Sequence, residues 1–310
     1  MGARLHQIGH QVTLVARGEH LRVLQASGLR LIDAEEDVLL PVRAVGSVAE
    51  IAWQGDEVAL VTTKTQDADS VLEDLRRAAQ PEIVVGLATN GVEAERLALR
   101  RFANVYGVCV TLPATFLEAG MIIANAWPTA GVLQIGRFPG GADPVADRLA
   151  AAFSSPRLMW QANHQVMAAK YGKLLLNVRN ALDALVGRDG FTGELAERVI
   201  AEAVACYAAA DIEHHGDQPK PRPEGFKITE TVGGHRHQGS STWQSLAKGS
   251  TSTEVDYLNG EVVLLGRLHG VATPVNALLQ QVLSDVARRG EGARQLTLDD
   301  LLTRLRAGDP

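Results

Sequence analysis

Up to about residue 137 the chain alternates short runs of β-branched and aliphatic residues with helix-forming stretches, and that alternation leaves few folds open. Residues 11–16, 56–63, 82–87 and 105–111 read as strands, and 68–79 and 92–102 between them read as helices. Residues 29–33 and 38–42 read as a hairpin, and 121–124 and 132–136 as two further strands. Residues 1–9 read as the end of a helix capped by Gly9. Strands alternating with helices build a mainly parallel sheet covered on both faces, since each parallel neighbour needs a crossover. The N-terminal half is therefore expected to be an α/β, Rossmann-like domain.

From about residue 146 the pattern turns helical. Pro139-Gly-Gly-Ala-Asp-Pro144 is the clearest loop before that change. Two domains are expected: residues 1–160, and an all-α domain over 161–310. With 310 residues, 46% of them hydrophobic, the chain has enough apolar material for two cores. Its net charge of −6 argues against nucleic acid or an anionic membrane as a partner. No apolar run approaches the ~20 residues of a membrane span, and no secretory leader opens the sequence. Cys109 and Cys206 form no motif, so a reducing cytoplasm is the expected setting. A homodimer is compatible with these features.

In doubly wound sheets, ligands bind at the carboxyl ends of the strands. Three polar residues fall there. Arg17 follows the strand at 11–16, where an arginine accommodates a 2′-phosphate and an acidic residue would hold a ribose diol; a solvated surface arginine is the other reading. Lys64 ends the strand at 56–63, within reach of a phosphate or carboxylate. Asn90-Gly91 follows the strand at 82–87, and such a pair also makes an ordinary turn. A dinucleotide fold also carries G-x-G-x-x-G between its first strand and first helix. The 310 residues contain neither that motif nor a strand before the first helix.

In the second half, residues 165–186 are rich in Ala, Leu and Met and read as one long helix. Lys173, Asn177 and Asn180 share one face of it at i, i+4 and i+7 spacing. Apolar residues cover the other sides, so these polar groups need partners or a ligand. A snorkelling lysine and capping asparagines are the plainer alternative. Residues 211–239 are polar, hold three prolines and four histidines, and read as a mobile loop, since no Cys or Glu completes a metal-ligand spacing. Glu254 lies at the start of a helix, where a glutamate is often only a first-turn charge.

Lys173-Leu-x-x-Asn177, Thr253-Glu254-Val-Asp-Tyr-Leu-Asn-Gly260 and His269-Gly-Val-Ala-Thr-Pro-Val-Asn276 resemble the ketopantoate reductase (2-dehydropantoate 2-reductase) family. Val61-Thr-Thr-Lys64, Thr89-Asn90-Gly91-Val92 and Val12-Thr-Leu-Val-Ala-Arg17 add to the likeness, in family order over nearly the whole chain. The resemblance implies an NADP(H)-binding Rossmann domain joined to an all-helical domain, with the active site in the cleft between them. It implies reduction of 2-dehydropantoate to pantoate in pantothenate and coenzyme A biosynthesis. By position, Lys173 matches the proton donor and Glu254 a glutamate that contacts the cofactor and supports catalysis. Asn177 matches a substrate-binding asparagine; Lys64 and Asn90 match the nicotinamide and substrate side of the cleft. Ser241-Thr242 matches a Ser-Ser pair whose second hydroxyl holds the substrate carboxylate. A second family asparagine falls on Ala181, with Asn180 beside it as the replacement. In the family the first strand lies between those at 11–16 and 56–63, so these two are not expected to pair directly. The alternatives are a reductase of another 2-oxo acid, and an inactive, cofactor-free paralogue or fragment.

Overall fold

A computed structural model describes residues 1–216 and 222–308. In the N-terminal half, helix α1 (Gly2–Gln7) precedes β1 (Thr13–Val15), α2 (Gly18–Ser27), β2 (Leu29–Ile32), β3 (Asp37–Leu40), β4 (Arg43–Val45) and β5 (Val58–Val61). Next come α3 (Thr65–Ala78), β6 (Val84–Leu87), α4 (Ala94–Leu99), β7 (Val105–Thr111), β8 (Ala114–Thr115), β9 (Met121–Ala124), β10 (Ala126–Trp127), β11 (Val132–Arg137), α5 (Pro144–Phe153) and β12 (Met159–Ala162). The second half holds α6 (Val166–Asn177), α7 (Asn180–Val186), α8 (Glu194–Ala209), the short strands β13 (Lys227–Ile228), β14 (Thr231–Val232) and β15 (His235–Arg236), then α9 (Ser241–Ala247), α10 (Asn259–His269), α11 (Pro274–Arg288) and α12 (Leu298–Ala307).

The central sheet has the order β12-β11-β7-β6-β5. Strands β5, β6 and β7 run parallel through the crossover helices α3 and α4, and β11 returns antiparallel to β7. This is the α/β architecture expected from the alternation. Strands β6 and β7 are almost wholly buried, as a sheet covered on both faces requires. Strand β1 pairs in parallel with β4 alone, and β5 pairs with β6 alone. The two therefore do not pair with each other, as expected. Strand β1 is less buried than its apolar sequence implies, with Val15 46% exposed, because β4 is its single hydrogen-bonded neighbour. An ideal Cβ built on Gly2 would lie 2.8 Å from Leu14 Cδ2, the close helix–strand contact that a dinucleotide fold takes from its last fingerprint glycine.

The long helix expected over 165–186 is two helices, broken at Val178 and Arg179. Asn259 Nδ2 donates to the Val178 carbonyl at 2.9 Å, in competition with the intrahelical donor. Asn259 also donates to Asn276 Oδ1 at 3.0 Å, and the Asn276 amide donates to the Val199 carbonyl and to Glu202. Two residues of the family-like segments thus tie the α6–α7 junction, α8, α10 and α11 together. The helical core packs Leu174, Leu182, Val199, Tyr207, Val262 and Leu279, among others.

Residues 222–239 correct the mobile-loop expectation. Strand β13 pairs antiparallel with β10 of the N-terminal half, β14 pairs with β15, and Val232 is buried against Ile32, Met121 and Ile123. A polar stretch acquires this order because strand β10 and one apolar anchor supply its partners. The helical domain, built as expected, adds a short β-strap that reaches its neighbour. Pro219 and Pro221 lie outside the described residues. Strand β12 pairs in parallel with β11, so the N-terminal sheet runs on to Ala162. No helix among the described residues is long and apolar enough to cross a membrane.

Candidate active site

Three elements converge where β5 and β6 end. The turn after β6 presents Asn90. Gly91 follows with φ 71°, and a Cβ there would lie 2.7 Å from the Tyr257 carbonyl oxygen. The turn therefore needs glycine, both for its left-handed backbone and for its approach to the short 3-10 turn Glu254–Tyr257. From the helical side, α6 brings Lys173.

The side chains form one hydrogen-bonded chain. Lys173 Nζ donates to Asn90 Oδ1 at 2.8 Å, and Asn90 Nδ2 donates to Glu254 Oε2 at 3.2 Å. Glu254 Oε1 accepts from the Thr65 backbone N–H and from Thr65 Oγ1, both at 3.2 Å. Thr65 Oγ1 also lies 2.8 Å from the Asn90 carbonyl. Glu254 is buried, and all three of its contacts come from the opposite domain. Its place at the start of a 3-10 turn thus serves the interface rather than a helix dipole. Thr65 belongs to no motif in the sequence. The signal was its place beside Lys64 at a strand's carboxyl end.

The electrostatics favour an anionic ligand. Burial pushes the Lys64 amine down from its ordinary value, opposed by Glu254 and Asp67. The Lys248 amine, just after α9, is pushed down by desolvation and then by Lys64. Two ammonium groups, one from each domain, thus lie within electrostatic reach of each other. Lys248 Nζ also sits 4.3 Å from the Phe116 ring centroid.

Buried polar atoms without a partner among the described residues mark where a ligand would be met. Thr63 Oγ1 and Thr89 Oγ1 stand just beyond β5 and β6, Gln66 Oε1 lies in the first turn of α3, and Asn177 Oδ1 ends α6. Such atoms are costly unless something satisfies them. They and the lysines fit the nicotinamide half of a dinucleotide and a small acid beside it. The glycine loop that would cradle a diphosphate is not among these residues.

The remaining expected site residues divide. Asn180 is buried at the first position of α7. Ser241 and Thr242 open α9, Ser241 exposed and Thr242 buried. Helix α9 is set by Asp183, which accepts from the Ser240 N–H at 2.7 Å, and by Gln244, which bonds Ala114 and Phe116 of the N-terminal half. Among the described residues, no hydrogen bond joins Asn180, Ser241 or Thr242 to Asn90 or Glu254. Arg17 lies apart from the chain, 74% exposed, with its guanidinium 3.7 Å from Asp74. Among the described residues no cluster of three or more His, Cys, Asp or Glu could hold a metal ion.

Two family models match the chain: "Ketopantoate reductase PanE/ApbA" over residues 1–140, and its C-terminal counterpart over 165–287. The chain belongs to the ketopantoate reductase family. It is 22% identical to a 2-dehydropantoate 2-reductase of Pyrococcus horikoshii over 95% of both chains. It is 29% identical to the 2-dehydropantoate 2-reductase of Yersinia pestis over 76% of this chain and 77% of that one. The crystal structure of a PanE/ApbA family ketopantoate reductase from Ralstonia eutropha JMP134 superposes with a TM-score of 0.77 at 26% identity, covering 93% of this chain and 94% of that one. D-mandelate dehydrogenase, solved with NADH and anilino(oxo)acetate, has the same fold, with a TM-score of 0.76 at 22% identity over 93% and 94% of the chains. The family is one of oxidoreductases acting on a 2-oxo acid.

Proposed function

We propose that this ketopantoate reductase family member reduces 2-dehydropantoate to pantoate with NADPH, in the cytoplasm, as a step of pantothenate and coenzyme A biosynthesis. The hydrogen-bonded chain from Lys173 through Asn90 to Glu254 carries the reading, because it brings a cation and its orienting groups from both domains to one point.

NADPH, when bound, would supply the hydride that converts the 2-oxo acid to the 2-hydroxy acid. As the carbonyl carbon accepts the hydride, negative charge grows on the carbonyl oxygen. Lys173 Nζ stabilises that charge and gives its proton to the oxygen, and water at the half-open cleft returns a proton to the amine. Asn90 fixes where the amine points, and Glu254 fixes Asn90. Asn177, Asn180, Ser241 and Thr242 are the groups we assign to the substrate's carboxylate and hydroxyl. Lys64 adds positive charge for anionic groups at the strand ends, and Arg17 is assigned to the 2′-phosphate.

The test is an assay of NADPH oxidation by the purified protein with 2-dehydropantoate and with a panel of bulkier 2-oxo acids. We expect the highest kcat/KM with 2-dehydropantoate. Turnover of none of them by folded, cofactor-binding protein refutes the reductase reading. A bulkier acid preferred by about 100-fold, some 3 kcal/mol in transition-state binding, would move the substrate to that acid. Ala181 in place of a second asparagine, and Thr242 with its added methyl, are the residues that would then explain it.

A further inference from the structure

Lys170 stands one helical turn before Lys173 on α6, and sequence reading gave it no role. It is 3% exposed, and its Nζ is hydrogen-bonded to Glu95 Oε1, on a glutamate that is fully buried. The pair crosses from the helical domain to α4. Burial pushes the Glu95 carboxyl up, and Lys170 pulls it back. Glu95 Oε2 has no partner among the described residues. The surroundings are close and largely apolar: a Cβ on Gly107 would lie 3.4 Å from Glu95 Oε1 and 3.2 Å from Val166 Cγ1.

Two contacts thus run side by side between the same two segments. Lys173 reaches Asn90, and one turn earlier Lys170 reaches Glu95, five residues beyond Asn90. A buried ion pair contributes little net stability, but it fixes register, because any slip leaves two charges unpaired in a dry interface. If α6 slid or rotated against α4, Lys170 and Glu95 would part before the apolar contacts around them did. Lys173 would leave Asn90 in the same motion.

We propose that the Lys170–Glu95 pair is a positioning device that sets the axial and rotational register of α6, and so the point at which Lys173 presents its proton. The proposal rests on the assignment of Lys173 as the proton donor. Neither partner touches the reacting atoms.

Three variants test it. In the Lys170→Met/Glu95→Leu double variant both charges are gone, so the fold keeps its Tm, as apolar replacement of a buried pair commonly allows. Its kcat should fall about 10- to 100-fold, because a displacement on the order of 1 Å has that effect on positioned groups, while KM for the oxo acid changes little. Glu95→Gln keeps the shape and one acceptor. It should be the less stable protein and yet retain more of kcat than the double variant. A purely structural pair would make kcat follow stability instead. A double variant with kcat within about twofold of the parent and a Lys173–Asn90 hydrogen bond intact in its crystal structure overturns the proposal. Lys173→Ala serves as the control. Undiminished turnover there refutes the proton-donor assignment. The Lys173–Asn90 separation in the double variant, expected to open beyond hydrogen-bond distance, still decides whether the pair positions α6.

Discussion

Lys170 and Lys173 leave the same helix, cross the same interface and meet it in different ways. Lys170 is shut away from water and locked to a carboxylate. Lys173 is half-buried at the cleft and donates to the amide oxygen of Asn90. The first contact cannot be exchanged without stranding a buried charge. The second uses a neutral acceptor that a substrate oxygen can replace at modest cost, since an ordinary hydrogen bond is worth only about 1 kcal/mol net. On the proposed roles, one helix carries a fixed point and a working point one turn apart, and the exchangeability of the partner separates them.

The largest expected effect lies at the working point. Lys173→Ala should lower kcat by about 10²- to 10⁴-fold, the range for removing a positioned acid. Tm should hardly move, because a half-buried side chain leaves a cleft wall. Steady-state kinetics beside thermal unfolding measure both quantities. A large fall in Tm with kcat intact would reverse the roles given to the two lysines.

Glu254→Gln comes next. Glu254 accepts from Asn90 Nδ2, from the Thr65 N–H and from Thr65 Oγ1. A glutamine offers one oxygen and turns an NH₂ toward a donor, so one contact must break. We expect a fall of about 10- to 100-fold in kcat/KM, equivalent to losing one charge-assisted hydrogen bond or two. Turnover unchanged by this variant would separate Glu254 from the working point.

How far the sequence revealed this contrast depends on the distance over which each contact acts. Strand β7 was legible at 105–111 because a buried strand shows itself in its own composition. Lys173 and Asn177 stood out because helical spacing is local. Asn90 and Glu254, 164 residues apart, came together only through family resemblance, for no local pattern states which turn meets which helix. The break at Val178 was hidden because its cause, Asn259, lies 81 residues away. The strap at 222–239 was hidden for the same reason, its partners being the edge of β10 and the pocket around Val232. Lys170 had a readable place, one turn from Lys173, but nothing near it in sequence announced the buried Glu95.

A third titratable group in the interface has, among the described residues, no countercharge in direct contact. Glu261, at the start of α10, is pushed up to about 7 by burial and by Glu93, with Arg96 pulling the other way. Burial pushes the Tyr171 hydroxyl up to about 12, and Glu261 adds to the push. The folded protein therefore favours protonated Glu261, and the unfolded chain does not. Its stabilising contribution is complete below the ordinary glutamate value near 4.5 and is lost as pH rises through about 7. Tm measured across that window should fall with rising pH, by the equivalent of up to about 3 kcal/mol from this group. Glu261→Gln should flatten the slope. An identical slope in the variant would place the pH dependence elsewhere.

The weakest expected effect is at Arg17, where charge and partner both face solvent. Its guanidinium lies 3.7 Å from Asp74, and the two side chains are 74% and 46% exposed. Exposed pairs of this kind contribute about 0–1 kcal/mol and are screened by salt. A 2′-phosphate brings more charge and three acceptor oxygens, so it should displace Asp74 as the partner of Arg17. On the proposed assignment of Arg17, the nearby carboxylate would repel that phosphate, so Asp74 would oppose NADPH where Arg17 favours it. Asp74→Asn should then raise the kcat/KM ratio for NADPH over NADH by up to about fivefold at low salt, the equivalent of about 1 kcal/mol, with little change at high salt. Arg17→Ala should lower the same ratio, and by more, since it removes the cation itself. If Asp74→Asn leaves the ratio unmoved at low salt while Arg17→Ala lowers it, Arg17 meets the phosphate in a position Asp74 does not reach. If neither variant moves the ratio, cofactor choice is made elsewhere, and the arginine after β1 is only a solvated end of its strand.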